Sequence, residues 1–374
     1  MAVKKIVITA GGTGGHLYPA QALAQQLSKQ PLPQDVLFIA GGLSTNRNFD
    51  QKKFSFQDVA CSPLLSRNPL KCFKGLKNLI KGFRQSVSTL KKFRPDVVVG
   101  FGSFYTVSIL LAAKWLKIPI ILHEANSIPG KANQWLACCA DTVALHFPST
   151  AAYFKGKTVE VGLPLREGYA LGATEKERAL AYYGLSSERR TLLIFGGSQG
   201  AKGINELVRQ SMPALKKLSL QVIHITGDLK TAESLKALYI HHQIPAAVKQ
   251  YESEMQMAWS AADGFLGRSG ASTIAEAIEF EVPGILIPYP FATGNHQETN
   301  ADFLIEQVGS AWKLLEPGLS PARLGETLHL FFQPDQIFKF KEALKTYKQR
   351  PQQMTLCQLV QQFMLTQKAA PGGL

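Results

Sequence analysis

Apolar residues along this chain follow two alternating patterns. Short β-branched runs, the first being Ile6-Val7-Ile8-Thr9-Ala10, read as buried strands. Between them, apolar positions recur three and four apart: Leu17, Ala20, Leu23, Ala24 and Leu27 predict a helix over 17–27. Runs at 36–40, 54–60, 96–104, 119–122, 141–145 and 159–161 predict a first parallel sheet. Runs at 191–195, 220–226, 263–267 and 284–288 predict a second. Residues 336–366 read as helical, broken near Pro351, and a final helix packing back on the first half is expected. The fold class is α/β, with two Rossmann-like domains whose parallel sheets face a central cleft. The domains are expected at 1–163 and 164–345, with a C-terminal helix in 346–374.

The turns between strand and helix narrow the chemistry. Gly11-Gly12-Thr13-Gly14-Gly15-His16 follows the first run, and Gly196-Gly197-Ser198-Gln199-Gly200-Ala201 follows Thr191–Phe195. Glycine lets a ligand approach the backbone, and a helix start favours negative charge. The first turn is not a G-x-G-x-x-G dinucleotide fingerprint, since Gly12 and Gly14 are followed by Leu17, and it is not a P-loop. Hydride transfer and ATP hydrolysis lose their main support. Two phosphate-friendly turns and a histidine suit binding a nucleotide diphosphate and moving what it carries.

Composition adds charge to this picture. The chain has 374 residues, 45% hydrophobic, 18% charged, with a formal net charge of +14. Nucleic acid, an anionic membrane and a phosphate-bearing substrate all answer such an excess. No zinc finger, RNP-like motif or helix-turn-helix accompanies it, so nucleic acid is not expected as a partner. The five cysteines show neither zinc spacing nor a C-x-x-C pair, which suits a reducing cytoplasm. No secretory leader or membrane span is expected from the apolar runs. No acidic residue occurs from Ser66 to Arg94. On a helix, Phe73, Leu76, Leu79, Ile80, Phe83 and Val87 fall on one side, with Lys74, Lys77, Lys81 and Arg84 beside them. Such a helix either lies on an anionic membrane or is a crossover helix with its apolar face in the core. The loop Leu64–Leu70 is the better candidate for lipid contact.

Five motifs in one order carry a resemblance. Ala10–His16, His123-Glu124-Ala125-Asn126, Gly196–Ala201, Arg268-Ser269-Gly270-Ala271 and Gln297-Glu298-Thr299-Asn300-Ala301 together closely resemble the MurG family of N-acetylglucosaminyltransferases. The resemblance runs from Lys5 to about Val360. It implies a GT-B fold, an inverting transfer with no cofactor and no metal, and UDP-GlcNAc and lipid I as substrates. It also implies peripheral attachment to the anionic cytoplasmic face of the inner membrane and a part in cell-wall synthesis.

By position, Thr13, Gly14, Gly15 and Asn126 resemble the family's first-domain contacts to the sugar nucleotide. Arg166, Ser198, Gln199 and Gly200 resemble groups around the diphosphate, with Arg268 either a phosphate ligand or an anchor. Ala271, Ser272, Thr273, Ile274, Ala275 and Glu276 match the loop and helix start near phosphate and ribose, Glu276 taking the ribose hydroxyls. Gln297 matches a sugar contact, and Glu252 stands where uracil is read through backbone. His16 is the first candidate for base and Glu124 the second. His16 could instead bind its own turn, Glu124 could pair with His123, and Glu276 could pair within its helix. Leu163, Ala125 and Ser103 depart from the family's usual residues. A UDP-GlcNAc 2-epimerase and a nucleotide-sugar-binding membrane protein without turnover are the rivals.

Overall fold

The computed structural model describes residues 3–31, 33–61, 69–172, 174–197, 200–351 and 354–366, and the side chains of 69–72 are left aside. The chain divides into two compact units, 1–167 with 353–374, and 168–352.

The first unit contains β1 (Lys4–Thr9), α1 (Gly14–Ser28), β2 (Gln34–Ala40), β3 (Phe56–Asp58), α2 (Pro69–Phe93) and β4 (Val97–Gly100). It continues with α3 (Val107–Trp115), β5 (Ile120–Glu124), α4 (Lys131–Leu136), β6 (Thr142–Leu145) and β7 (Thr158–Glu160). Its seven strands are parallel, in the order β3-β2-β1-β4-β5-β6-β7. Central strands of such a sheet are covered on both faces, which is why Ile6-Val7-Ile8 and Val97-Val98-Val99 run without alternation. Ile6, Ile8 and Val99 face one core with Leu17 and Leu23 of α1, while Val7 and Val98 face the other with Ile109 and Leu110 of α3.

The second unit contains α5 (Lys176–Tyr183), β8 (Thr191–Phe195), α6 (Lys202–Gln210), α7 (Met212–Lys217), β9 (Gln221–Ile225) and α8 (Leu229–His241). Then come β10 (Ala246–Lys249), α9 (Met255–Ala261), β11 (Gly264–Gly267), α10 (Ala271–Glu279) and β12 (Gly284–Leu286). The unit ends with α11 (His296–Asp302), β13 (Ala311–Lys313), α12 (Pro321–Phe331) and α13 (Pro334–Lys348). Its strands are parallel in the order β10-β9-β8-β11-β12-β13. A last helix, α14 (Leu356–Thr366), belongs to the first unit, where Leu356, Leu359, Val360 and Met364 join the core beside α1.

The division falls after Glu167, four residues past the passage at Leu163 expected from sequence, for a local reason. Gln26 Nε2 donates to Leu165 O at 3.4 Å, and Arg166 lies 4.8 Å over the Tyr18 ring. Glu167 N–H reaches Gln25 Oε1 at 3.4 Å and its carboxylate pairs with Lys29 at 2.8 Å. These residues are still fastened to α1.

α2 joins β3 to β4 as a crossover helix, but only part of its apolar face turns to the core. Its buried face is Gly75, Gly82, Ser86 and Leu90. Gly82 is required there, since a Cβ would stand 2.0 Å from Ala60 O. The apolar arc read from the sequence therefore splits. Phe83 and Val87 pack on the core, whereas Phe73, Leu76 and Ile80 are 72%, 51% and 48% exposed.

Candidate active site

Open parallel sheets bind ligands at the carboxyl ends of the strands where the strand order reverses. In the first unit that point lies between β1 and β4, and in the second between β8 and β11.

At the first point, Gly12 takes a left-handed φ of +85° and Gly102 one of +84°. Gly11 lies against Tyr105, whose Cβ would be 2.4 Å from an added Cβ, so only glycine lets these strands' loops close. Thr13 caps α1, its carbonyl accepting from His16 N–H at 3.2 Å and Leu17 N–H at 3.1 Å. Gly14 is buried, and Thr13 and Gly15 are exposed. His16 is half-buried in the first turn. Ser103, where the family usually has glycine, keeps a glycine's backbone at φ 79°, ψ 153°. This conformation costs a non-glycine residue about 1–3 kcal/mol. Ser103→Gly is therefore expected to stabilise the protein by about 1 kcal/mol, less than the full strain because glycine loosens the unfolded chain. Denaturant midpoints read it, and a lower midpoint in the variant would contradict the strain.

β5 delivers His123 and Glu124 to the same end of the sheet. Successive strand residues point to opposite faces, so the alternative of a His123–Glu124 pair is not formed. Glu124, 2% exposed, accepts from Asn126 N–H at 2.9 Å and Asn126 Nδ2 at 3.4 Å on Oε1. Its Oε2 accepts from Gly130 N–H at 3.1 Å and Asn133 Nδ2 at 2.8 Å. Four donors fill the acceptor sites of one carboxylate. Glu124 thus clamps the loop 125–133. Asn133 also donates to His123 O at 3.1 Å, and Asn126 O accepts from Thr150 Oγ1 at 3.1 Å. Sequence reading missed Asn133, which stands outside the motif that carries Asn126. His123 packs on Phe101, with ring centroids 5.0 Å apart, and its Nε2 is buried without a partner. Burial pushes its imidazole down to about 3, and neighbouring His146 and His16 add to the shift.

In the second unit, Ser198 and Gln199 lie outside the described residues, as does the loop 64–68 of the first. Gly200 has φ +71°, and a Cβ there would meet Thr226 O at 2.5 Å. Across the switch point, Gly270 caps α10, which carries Ala271, Ser272, Thr273, Ile274, Ala275 and Glu276. Glu276 is half-buried and accepts from the Trp259 indole N–H at 2.6 Å. Arg268 is an anchor: its Nη1 donates to Ile287 O at 3.1 Å and Pro288 O at 3.2 Å and pairs with Glu316. Gln297 accepts Tyr289 N–H at 2.9 Å on its side chain and Ser269 Oγ–H at 2.6 Å on its carbonyl, tying α11 to the Arg268 turn.

Glu252 is held just as firmly. It accepts from Lys249 Nζ at 2.7 Å, Tyr183 O–H at 2.9 Å and Glu254 N–H at 2.9 Å. Burial pushes its carboxyl up, but these hydrogen bonds outweigh burial and hold it below the usual range. Lys249 in turn lies 4.3 Å over the Tyr182 ring. The side chain at 252 therefore shapes its loop.

Two family models match in register with the two sheets. The glycosyltransferase family 28 N-terminal domain covers residues 6–145, and the family 28 C-terminal domain covers 191–355. The chain belongs to glycosyltransferase family 28. Within family 28, it is 55% identical to the UDP-N-acetylglucosamine–N-acetylmuramyl-(pentapeptide) pyrophosphoryl-undecaprenol N-acetylglucosamine transferase of Protochlamydia amoebophila, over 96% of this chain and 95% of that protein. The enzyme of the same name from Chlamydia felis is 32% identical over 96% of this chain and 98% of its own. The crystal structure of Acinetobacter baumannii MurG superposes with a TM-score of 0.74 at 27% identity, covering 98% of this chain and 99% of that one. The MurG resemblance and the GT-B fold expected from the motifs are borne out.

Proposed function

We propose that this family 28 protein transfers N-acetylglucosamine from UDP-GlcNAc to the C4 hydroxyl of the muramyl sugar of lipid I, giving lipid II for peptidoglycan. The observation that carries this is the 55% identity over 96% of the chain to a transferase of that name. Neither an epimerase nor a protein without turnover has comparable support. In this reading the second unit holds the donor: the first-turn N–H groups of α10 meet the diphosphate, Glu276 the ribose, the backbone at Glu252 the uracil and Gln297 the sugar. Ser198, Gln199 and Gly200 join the phosphate side, and Arg166 adds a cation. Charge growing on the departing diphosphate is what these groups stabilise. The first unit serves the acceptor, with Thr13, Gly14, Gly15 and Asn126 lining the turn and His16 as base. Glu124 braces a loop of the first unit, and Arg268 braces one of the second. Incubating labelled UDP-GlcNAc with a lipid I analogue is expected to move label to the lipid, with none released from the donor alone. Label converted to an isomeric sugar nucleotide without acceptor would overturn the reading.

The acceptor carries a polyprenyl chain, so the protein must meet a bilayer. No helix among the described residues is long and apolar enough to cross one. We assign the contact to the start of α2 at the cytoplasmic face of the inner membrane. Phe73, Leu76 and Ile80 are exposed there beside exposed Lys74, Lys77, Lys81 and Arg84. Trp115, 60% exposed, extends the surface and carries Lys91 at 5.5 Å over its ring. Each cation near an anionic surface contributes about 1 kcal/mol, screened over ~8 Å at physiological salt. Changing Lys74, Lys77 and Lys81 to glutamate is expected to lower sedimentation with anionic vesicles about tenfold or more, with UDP affinity intact. Equal sedimentation at low salt would move the contact elsewhere.

A further inference from the structure

Trp259 is among the largest fully buried side chains, and nothing in the reading above uses it. It sits on α9 in an aromatic box. Its ring meets Phe195 edge-on at 5.4 Å and Phe265 at 5.1 Å, and stacks on Phe280 at 6.3 Å with planes 14° apart. A buried indole needs an acceptor for its one N–H. That acceptor is the carboxylate Oε2 of Glu276 at 2.6 Å. Glu276 and Phe280 are neighbours one turn apart, so the indole lies along α10 and grips it at two points. Phe195 is the last residue of β8, directly before the Gly196-Gly197 turn.

We propose that Trp259 is a positioning residue for nucleoside recognition, its indole N–H holding the Glu276 carboxylate in the rotamer that accepts the two hydroxyls of a ribose. This rests on the assignment of Glu276 to the ribose made above. A glutamate side chain has three torsions, and fixing them when the ligand arrives weakens binding. Packing fixes the indole, and a hydrogen bond to a charged oxygen is of the strong kind. The carboxylate is thereby oriented before the nucleotide binds. The indole only donates to the carboxylate, so the arrangement suits a ligand that also donates. A vicinal diol does so.

Trp259→Phe keeps an aromatic ring and removes the N–H. Calorimetric titration with UDP and with 2′,3′-dideoxy-UDP is the measurement, on wild type, Trp259→Phe, Glu276→Ala and the double variant. Wild type is expected to favour UDP by about tenfold or more, and Trp259→Phe to lose about fivefold to tenfold of that preference while binding the dideoxy ligand as before. In the double variant, Trp259→Phe should add nothing to Glu276→Ala. If Trp259→Phe weakens both ligands equally, the indole only packs the core and the proposal falls alone. A wild type indifferent to the hydroxyls would overturn the ribose assignment and the proposal with it. Should Trp259→Phe fail to fold, benzothienylalanine at 259 replaces the N–H by sulfur in the same shape and is read against the same outcomes.

Discussion

His16→Ala is expected to cut turnover by about 10²–10³-fold while UDP affinity stays within about twofold. Three ionisable side chains, Glu124, His123 and His16, lie at the carboxyl end of the first sheet. Glu124 has four donors on its oxygens, and protonating it would break the clamp on loop 125–133. His123 is buried and held neutral far below physiological pH, so it cannot keep a proton it receives. His16 is half-buried at the start of α1 and is the base in the proposed transfer. Because the base acts on the acceptor hydroxyl, its loss should spare the donor. Single-turnover rates and donor dissociation constants measured on one preparation separate the two, and normal turnover in the variant would reduce His16 to a structural part.

Acid is expected to destabilise the protein well before its carboxylates titrate. Burial pushes His123 and His224 down to about 3, and His146 to about 4. Unfolded histidine titrates near 6.5. Between about pH 6.5 and 4 the unfolded chain therefore binds protons that the native state refuses, so stability falls as pH falls. Each histidine contributes a slope of about 1.4 kcal/mol per pH unit in that window, and the slope fades below the native values. Going from pH 6.5 to 5 should remove roughly 3 kcal/mol through His123 and His146 together, and roughly 1.6 through His224, the slope being halved at pH 6.5 where the unfolded ring is half protonated. Urea midpoints at pH 7.5 and 5 check this. A flat profile would show the three rings charged in the native state, and His123→Phe should flatten the first unit's share.

The parts of the fold legible in the sequence are those where local and tertiary preferences agree. Ile6-Val7-Ile8 and Thr191–Phe195 are central strands buried on both faces, so an unbroken apolar run announces them. β10 and β13 escaped notice because Ala246–Lys249 and Ala311–Lys313 are short, half-covered edges with no run to read. The face of α2 misled for another reason. Helical spacing finds apolar residues, but the buried side is set by close approach at Gly82, which a hydrophobic pattern does not weigh. At the site, the glycine turns could be read because positive φ leaves a mark in residue type. The sequence left Arg268 open between phosphate ligand and anchor, and Trp259 as a partner of Glu276 could not be read, since their partners lie on other elements: Ile287, Pro288 and Glu316 for one, α10 for the other.

The return of α14 to the first unit bears on how the chain is made. A ribosome releases residues 1–167 before 353–366, so their core lacks Leu356, Leu359, Val360 and Met364 until those residues are made. The second unit is one contiguous stretch, 168–352, and can close as soon as it emerges. At ~5–20 residues per second the first unit waits roughly 10–40 s with an apolar groove open beside α1. Over that interval the nascent chain is exposed to helices of neighbouring copies and to chaperones that bind such grooves. The domain that leaves the ribosome first is the last to be completed.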